Sequence, residues 1–103
     1  MTTPLTLTTD HLPNGTVVLK AVGEIDMSNS DALASALKET RSRLVIDLTD
    51  VEYLDSAGLN VLFTNAERIE LIAGALLTPV LAMSGLSSLV TIHTAGSPPA
   101  PLP

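Results

Sequence analysis

The sequence predicts an α/β fold, a two-layer sandwich whose mixed, mostly parallel sheet packs against helices and carries an antiparallel edge. Three observations predict it. Short apolar or β-branched runs of strand length alternate with segments whose apolar residues recur at helical spacing, the pattern of strand–helix–strand units. The turn residues His11-Leu-Pro-Asn-Gly15 separate two β-patterned stretches, which points to a hairpin and hence to the antiparallel edge. Finally, Leu44-Val45-Ile46-Asp47-Leu48 is almost continuously apolar, as a central strand covered on both faces would be.

Taken in order, Leu5 to Thr9 alternates apolar and polar and reads as a half-exposed strand, and Thr16 to Val22 is its hairpin partner. Gly23-Glu24-Ile25-Asp26 leads out of that strand. Ser28 and Asp31, three apart, precede Ala32-Leu33-Ala34-Ser35-Ala36-Leu37 and suggest a variant capping box opening a helix that faces the core with Leu33, Ala36, Leu37 and Thr40. Arg43 to Thr49 reads as a buried strand, Asp50 to Leu54 as a short loop, and Ser56 onward as a helix. In that helix Leu59, Leu62, Phe63 and Ala66 share the core face, leaving Asn60, Thr64 and Glu67 to water. Asp47 lies within its strand and reads as structural or edge-facing. Ile69 to Ala73 is a further short strand. The next helix ends at Gly85, a good left-handed cap; Pro79 either opens it, with Thr78 as cap, or kinks a longer helix begun near Ala75. Leu89 to Thr94 is the last strand. Residues 1–94 then form a single domain, and Ala95 to Pro103 is a Pro-rich tail without a core-facing pattern, expected to be disordered.

Composition narrows the function. Aromatics are 2% of 103 residues, so the core is aliphatic and nucleobases find no stacking platform; a net charge of −6 repels nucleic acid and favours a partner with a basic or mixed surface. The absence of cysteine removes disulfides, thiolate metal sites and cysteine nucleophiles. No basic region followed by an apolar run marks the N-terminus, so a cytoplasmic protein is expected. Leu71 to Ile92 is uncharged and about the length of a membrane span, roughly 20 residues. Gly74, Thr78-Pro79, Ser84-Gly85 and Ser87-Ser88 divide it into pieces of strand and helix size, which favours a soluble core over a membrane span.

The most informative stretch is Arg43 to Phe63. It places the hydroxyl of Ser56 at the mouth of a helix, beside Asp55, at the carboxyl end of a strand. A serine there is most often only a cap for backbone N–H groups. It is also a good place for a phosphate, which adds about −1.5 to −2 charges that a helix N-terminus tolerates. A hydrolase is not expected: Gly-x-Ser-x-Gly is absent, and His11 and His93 sit in a turn and on a late strand. Asp26 and Asp55 could alternatively hold a divalent metal, but nothing resembles a calcium loop, and acids flanking turns are commoner as caps; neither metal nor cofactor is expected. The expected docking surface is Asp26, Met27, Ser28 and Asn29 together with Asp55, Ser56, Ala57, Gly58 and Asn60, from loops at one end of the sheet. Gly58 either admits a close backbone or relieves crowding.

Gly23-Glu24-Ile25-Asp26, Leu44-Val45-Ile46-Asp47-Leu48, Asp55-Ser56-Ala57-Gly58-Leu59 and Ser84-Gly85-Leu86 occur in the order seen in STAS domains, and from about Asn14 to His93 the chain resembles a free-standing bacterial anti-sigma factor antagonist of that family. The resemblance implies a non-enzymatic partner switch. The unphosphorylated protein binds an anti-sigma factor, usually a serine kinase of the histidine-kinase-like ATPase fold; the kinase phosphorylates the serine after the motif's aspartate, here Ser56; a serine phosphatase resets it. In two respects the chain departs from the family. The helix that commonly follows the last strand is replaced by Pro-Pro-Ala-Pro-Leu-Pro, and Ala75 to Leu86, usually amphipathic with basic residues, has no charge. An exposed apolar patch on that 75–86 helix, covered by self-association or a partner, is therefore expected. The alternative function is a non-switching subunit of a larger assembly, stressosome-like or in lipid transport.

Overall fold

The computed structural model describes residues 4–40 and 43–94. Five strands run in the spatial order of the chain: β1 (Thr6–His11), β2 (Val17–Ile25), β3 (Leu44–Leu54), β4 (Ile69–Ala73) and β5 (Ile92–Thr94). β1 and β2 form the antiparallel hairpin, and every other pairing is parallel. The helices α1 (Ser30–Glu39), α2 (Ser56–Thr64) and α3 (Thr78–Met83) are the successive crossovers, with short 3-10 turns at Ala66–Arg68 and Leu86–Ser88. Neighbouring parallel strands joined in one direction by right-handed crossovers place all three helices on the same face of the sheet.

Burial agrees with that layering. Val17, Leu19, Ala21 and Ile25 of β2, Leu44, Ile46 and Leu48 of β3, and Ile69, Leu71 and Ala73 of β4 point into one aliphatic core. Leu33 and Leu37 of α1, Leu62 of α2, and Leu77, Leu81, Leu86 and Val90 around α3 close it from above. The intervening residues Val45, Asp47, Glu70 and Ile72 are only half-buried. β3 is therefore central but covered on one face, not two as its apolar run suggested, because no helix among the described residues crosses to the far side. Asp47 does not face a sheet edge; its carboxylate accepts from the backbone N–H (2.9 Å) and hydroxyl of Thr49,.

The expected loop at Asp50 to Leu54 is strand. β3 takes up two extra residues against β2: Lys20 pairs with Asp47 but Val22 with Asp50, and Gly23 pairs with Val51 but Glu24 with Tyr53. These bulges turn Leu48, Val51 and Leu54 inward at three-residue intervals while Thr49, Asp50, Glu52 and Tyr53 face water. Gly23, opposite the second irregularity, has φ of +109°, a conformation that favours glycine.

Three boundary expectations change. α1 begins at Ser30 with Asn29 at the cap position and no side-chain cap bond, so Ser28 and Asp31 form no capping box. Leu77, not Thr78, holds the cap position of α3; Thr78 is its first residue, its hydroxyl donating to the Gly74 carbonyl, and Pro79 lies in the first turn where its missing N–H is harmless. Gly85, with φ of +85°, ends that helix as expected, but the chain then makes a 3-10 turn, and the last strand shrinks to Ile92–Thr94. No helix among the described residues is long and apolar enough to cross a membrane; Leu71 to Ile92 divides among β4, α3 and β5. The Pro-rich tail at 95–103 lies outside the described residues.

Candidate functional site

Because β2, β3 and β4 are parallel, their carboxyl ends meet at one end of the sheet, and the loop from Asp26 to Asn29 lies beside the start of α2. One residue joins them. Asp55 occupies the cap position of α2 with extended backbone, and its Oδ1 accepts from the N–H groups of Ala57 (2.9 Å) and Gly58 (3.1 Å). Its Oδ2 accepts from the N–H of Met27 (3.0 Å), across 28 residues of sequence. Its own N–H continues the ladder to the Ile25 carbonyl at 3.1 Å, and its carbonyl takes the Leu59 N–H at 2.9 Å. A carboxylate at a helix N-terminus also suits the helix dipole.

The 26–29 loop is tied internally in the same way. The Asp26 carboxylate accepts from the backbone N–H of Ser28 at 2.9 Å and from its hydroxyl. Asn29 Oδ1 accepts from the Asp26 N–H, and its Nδ2 donates to the Glu24 carbonyl, each at 2.9 Å. The Ser28 hydroxyl, followed by its N–H, holds the Asp26 carboxyl below the usual aspartate range. Ser28 and Met27 are exposed, Met27 at 80%.

Ser56 is the first residue of α2. It is exposed, and its hydroxyl makes no hydrogen bond among the described residues. The task of a capping serine is already performed by Asp55. Two of the N–H groups that a helix start would offer to a phosphate, those of Ala57 and Gly58, are therefore taken. Asn60, one turn along, is exposed on the same side, whereas Ala57 is half-buried and Gly58 buried.

Gly58 answers crowding from side chains rather than from a backbone. A Cβ there would stand 2.5 Å from Leu54 Cδ1 and 2.7 Å from Ile25 Cγ2. Those two residues end β3 and β2, so the missing side chain is what lets α2 start directly above the strands that carry the site. Sequence reasoning missed two exposed residues at this end, Tyr53 at the close of β3 and Leu76 in the turn after β4. The parallel order of β2, β3 and β4 was the signal that could have found Leu76. Among the described residues no cluster of three or more His, Asp or Glu could hold a metal ion.

The comparisons with known proteins bear on the whole arrangement. The anti-sigma-F factor antagonist RsfB of Mycobacterium tuberculosis is 44% identical over 64 residues, which are 58% of this chain and 51% of that protein. This chain thus spans about half the length of the curated relatives it matches. The crystal structure of an anti-sigma factor antagonist from Mycobacterium paratuberculosis superposes with a TM-score of 0.78 at 28% identity, covering 87% of this chain and 86% of the other. The anti-sigma factor antagonist SpoIIAA in its unphosphorylated form gives 0.71 at 14% identity, with 89% and 90% covered, a likeness of fold. The family model of the STAS domain matches residues 8–95, which take in the sheet except the first two residues of β1, all three helices and the Asp55–Ser56 junction. With the family model matching most of the sequence and the fold shared, this chain belongs to the STAS domain family.

Proposed function

We propose that the protein is an anti-sigma factor antagonist that binds an anti-sigma serine kinase of the histidine-kinase-like ATPase fold and is released when Ser56 is phosphorylated. The observation that carries this reading is the pairing of Asp55 and Ser56. Asp55 supplies the helix cap and the loop bond, leaving Ser56 an exposed hydroxyl with no structural task. Such a hydroxyl is accessible as a phosphoryl acceptor. The docking surface is Asp26, Met27, Ser28 and Asn29 with Asp55, Ser56, Ala57 and Asn60, and Gly58 shapes it from beneath. Met27 supplies an adaptable apolar contact at its centre.

Phosphorylation acts here through the interface rather than the fold. Asp55 already takes the Ala57 and Gly58 N–H groups, so the added charge gains little from them inside the domain and nothing need unfold. Buried against a partner, the same charge costs several kcal/mol unless paired. Each 1.4 kcal/mol is about tenfold in affinity, so one phosphate suffices to eject a partner. A serine phosphatase resets the protein, which itself performs no catalysis and acts in the cytoplasm.

The test is binding to a cognate kinase by calorimetry. Ser56→Ala binds as the native chain does, and Ser56→Asp binds at least about tenfold more weakly. Equal affinities for the two variants would refute the switch. A non-switching assembly subunit is the second reading, favoured by Leu76, Val80 and Met83, which leave exposed apolar surface on the outer side of α3. That surface, we further propose, is covered by another protein surface.

A further inference from the structure

Asn29 occupies the cap position of α1, where an asparagine ordinarily accepts from backbone N–H groups of the helix's first turn. Here its side chain makes no such bond, and its ψ of 1° departs from the extended backbone of a capping residue. The amide points back along the chain instead. Its Oδ1 accepts from the Asp26 N–H and its Nδ2 donates to the Glu24 carbonyl, each at 2.9 Å. One planar group thus clamps the start of the docking loop to β2, and α1 goes without a side-chain cap.

The rest of the loop closes around that clamp. The Asp26 carbonyl takes the N–H groups of Asn29 (3.1 Å) and Ser30 (2.8 Å). The Asp26 carboxylate takes that of Ser28 (2.9 Å), and Asp55 takes that of Met27 (3.0 Å). Every backbone N–H from Asp26 to Ser30 therefore has a partner inside the protein. Met27 and Ser28 are exposed at the turn of the loop, whereas Asn29 is half-buried and both polar atoms of its amide are engaged in the clamp. A loop fixed before binding avoids the entropy of being ordered on binding, and the lower cost appears as affinity.

We propose that Asn29 is a positioning residue for capture of the kinase: its amide holds residues 26–28 in the shape that the kinase reads, and leaves α1 uncapped to do so. This rests on the reading of Ser56 as a phosphoryl acceptor. The transfer itself moves a phosphoryl group from ATP to the Ser56 hydroxyl, releasing ADP and a proton, and none of it runs through Asn29. Loss of the clamp therefore weakens capture and leaves the chemical step alone, which raises KM at constant kcat.

The test is phosphorylation of Ser56 by the cognate kinase and ATP, followed by intact mass, with Asn29→Ser as the variant. Serine caps helices about as well as asparagine does, but one short hydroxyl cannot bridge the Asp26 N–H and the Glu24 carbonyl together. Arg68→Ala is the control, because it removes bonds to the Leu37 and Thr40 carbonyls at the other end of α1. The expected result for Asn29→Ser is a KM about tenfold higher with kcat unchanged, and a melting temperature lowered by about 4–8 °C at most. Arg68→Ala melts at least as early and keeps the native KM. In amide NMR spectra Asn29→Ser shifts Asp26 to Ser28 and leaves Ala57 and Gly58 in place. An unchanged KM for Asn29→Ser, or an equal rise for Arg68→Ala, overturns the proposal and leaves the switch standing. A native chain that gains no phosphate on Ser56 overturns both.

Discussion

Replacing Asp55 separates the two tasks its carboxylate performs. Asp55→Ala removes both. Loss of a cap costs about 1 kcal/mol, within 0.5–2. Loss of the bond from the Met27 N–H, made to a charged acceptor, costs about 1.5 kcal/mol, the low end of its class because water reaches an exposed Met27. The sum is about 2–3 kcal/mol. Asp55→Asn is informative because asparagine caps helices as well as aspartate does. Its carbonyl oxygen can keep the bonds to the Ala57 and Gly58 N–H groups, held now at 2.9 and 3.1 Å. Its amide NH₂ then faces the Met27 N–H, donor against donor, where the Oδ2 acceptor stood at 3.0 Å. Only the loop bond and part of the dipole interaction are lost, about 1–2 kcal/mol. Urea unfolding followed by circular dichroism therefore ranks the variants native, Asn, Ala. The gap of about 1 kcal/mol between the two variants appears as a melting difference of about 4–8 °C for a domain of this size. In amide NMR spectra the Asn variant shifts Met27 and leaves Ala57 and Gly58 nearly in place. If Asn is as destabilising as Ala, or perturbs α2 rather than the loop, the division of labour assigned to this carboxylate is wrong.

Further predictions concern the supports of the site. Gly58→Ala brings a methyl to 2.5 and 2.7 Å from Leu54 and the β-branched Ile25; overpacking of about 2–3 kcal/mol, the upper part of its range, exceeds the ~1 kcal/mol gain in helix propensity, so denaturant unfolding shows a net loss of about 1–2 kcal/mol. Arg68 reaches the Leu37 and Thr40 carbonyls at the end of α1 and Asn65 Oδ1; Arg68→Ala lowers stability by about 2 kcal/mol in the same assay, and Arg68→Lys restores only part because one ammonium cannot span both carbonyls. The Asp26 carboxyl, held down chiefly by the Ser28 hydroxyl, titrates by NMR below the ordinary value of about 3.9, and Ser28→Ala moves it back up. Because its folded pKa is depressed, Asp26 stabilises the fold above the unfolded pKa, and that contribution is lost only as pH falls through the lower folded value. A titration in which Ser28→Ala leaves Asp26 unmoved would break the assignment of cause.

Much of this architecture was readable from residue pattern because the physics was local. Ile69–Ala73 alternates cleanly and is the strand its pattern described. Leu59, Phe63 and Ala66 pack against the core around buried Leu62, and Asn60, Thr64 and Glu67 are exposed, as a 3.6-residue period requires. What was not readable depended on pairing between distant segments. Val51 and Leu54 are buried three residues apart, neither a strand's alternation nor a helix's stripe, because two bulges against β2 set the register. The one-sided covering of Leu44–Leu48 depends on where three crossovers lie, and a single strand carries no trace of that. At the site, the acid beside Ser56 was visible. Its bond to Met27, which turns two loops into one surface, and its capping of Ala57 and Gly58, which frees the serine from that task, required the fold. Asn29 was placed in the docking loop, but its bonds to Asp26 and Glu24 displace the capping box that Ser28 and Asp31 suggested.

The central claim is that the state of Ser56 decides whether the docking surface is occupied. Its most direct test is intact-mass analysis and peptide mapping of the protein recovered from its own cells, free and partner-bound fractions kept apart and any co-purifying chain identified. A phosphate on Ser56 is expected in the free fraction, and a kinase-like partner only with the unmodified form. An unmodified Ser56 in both fractions, within a complex of constant composition, would contradict it.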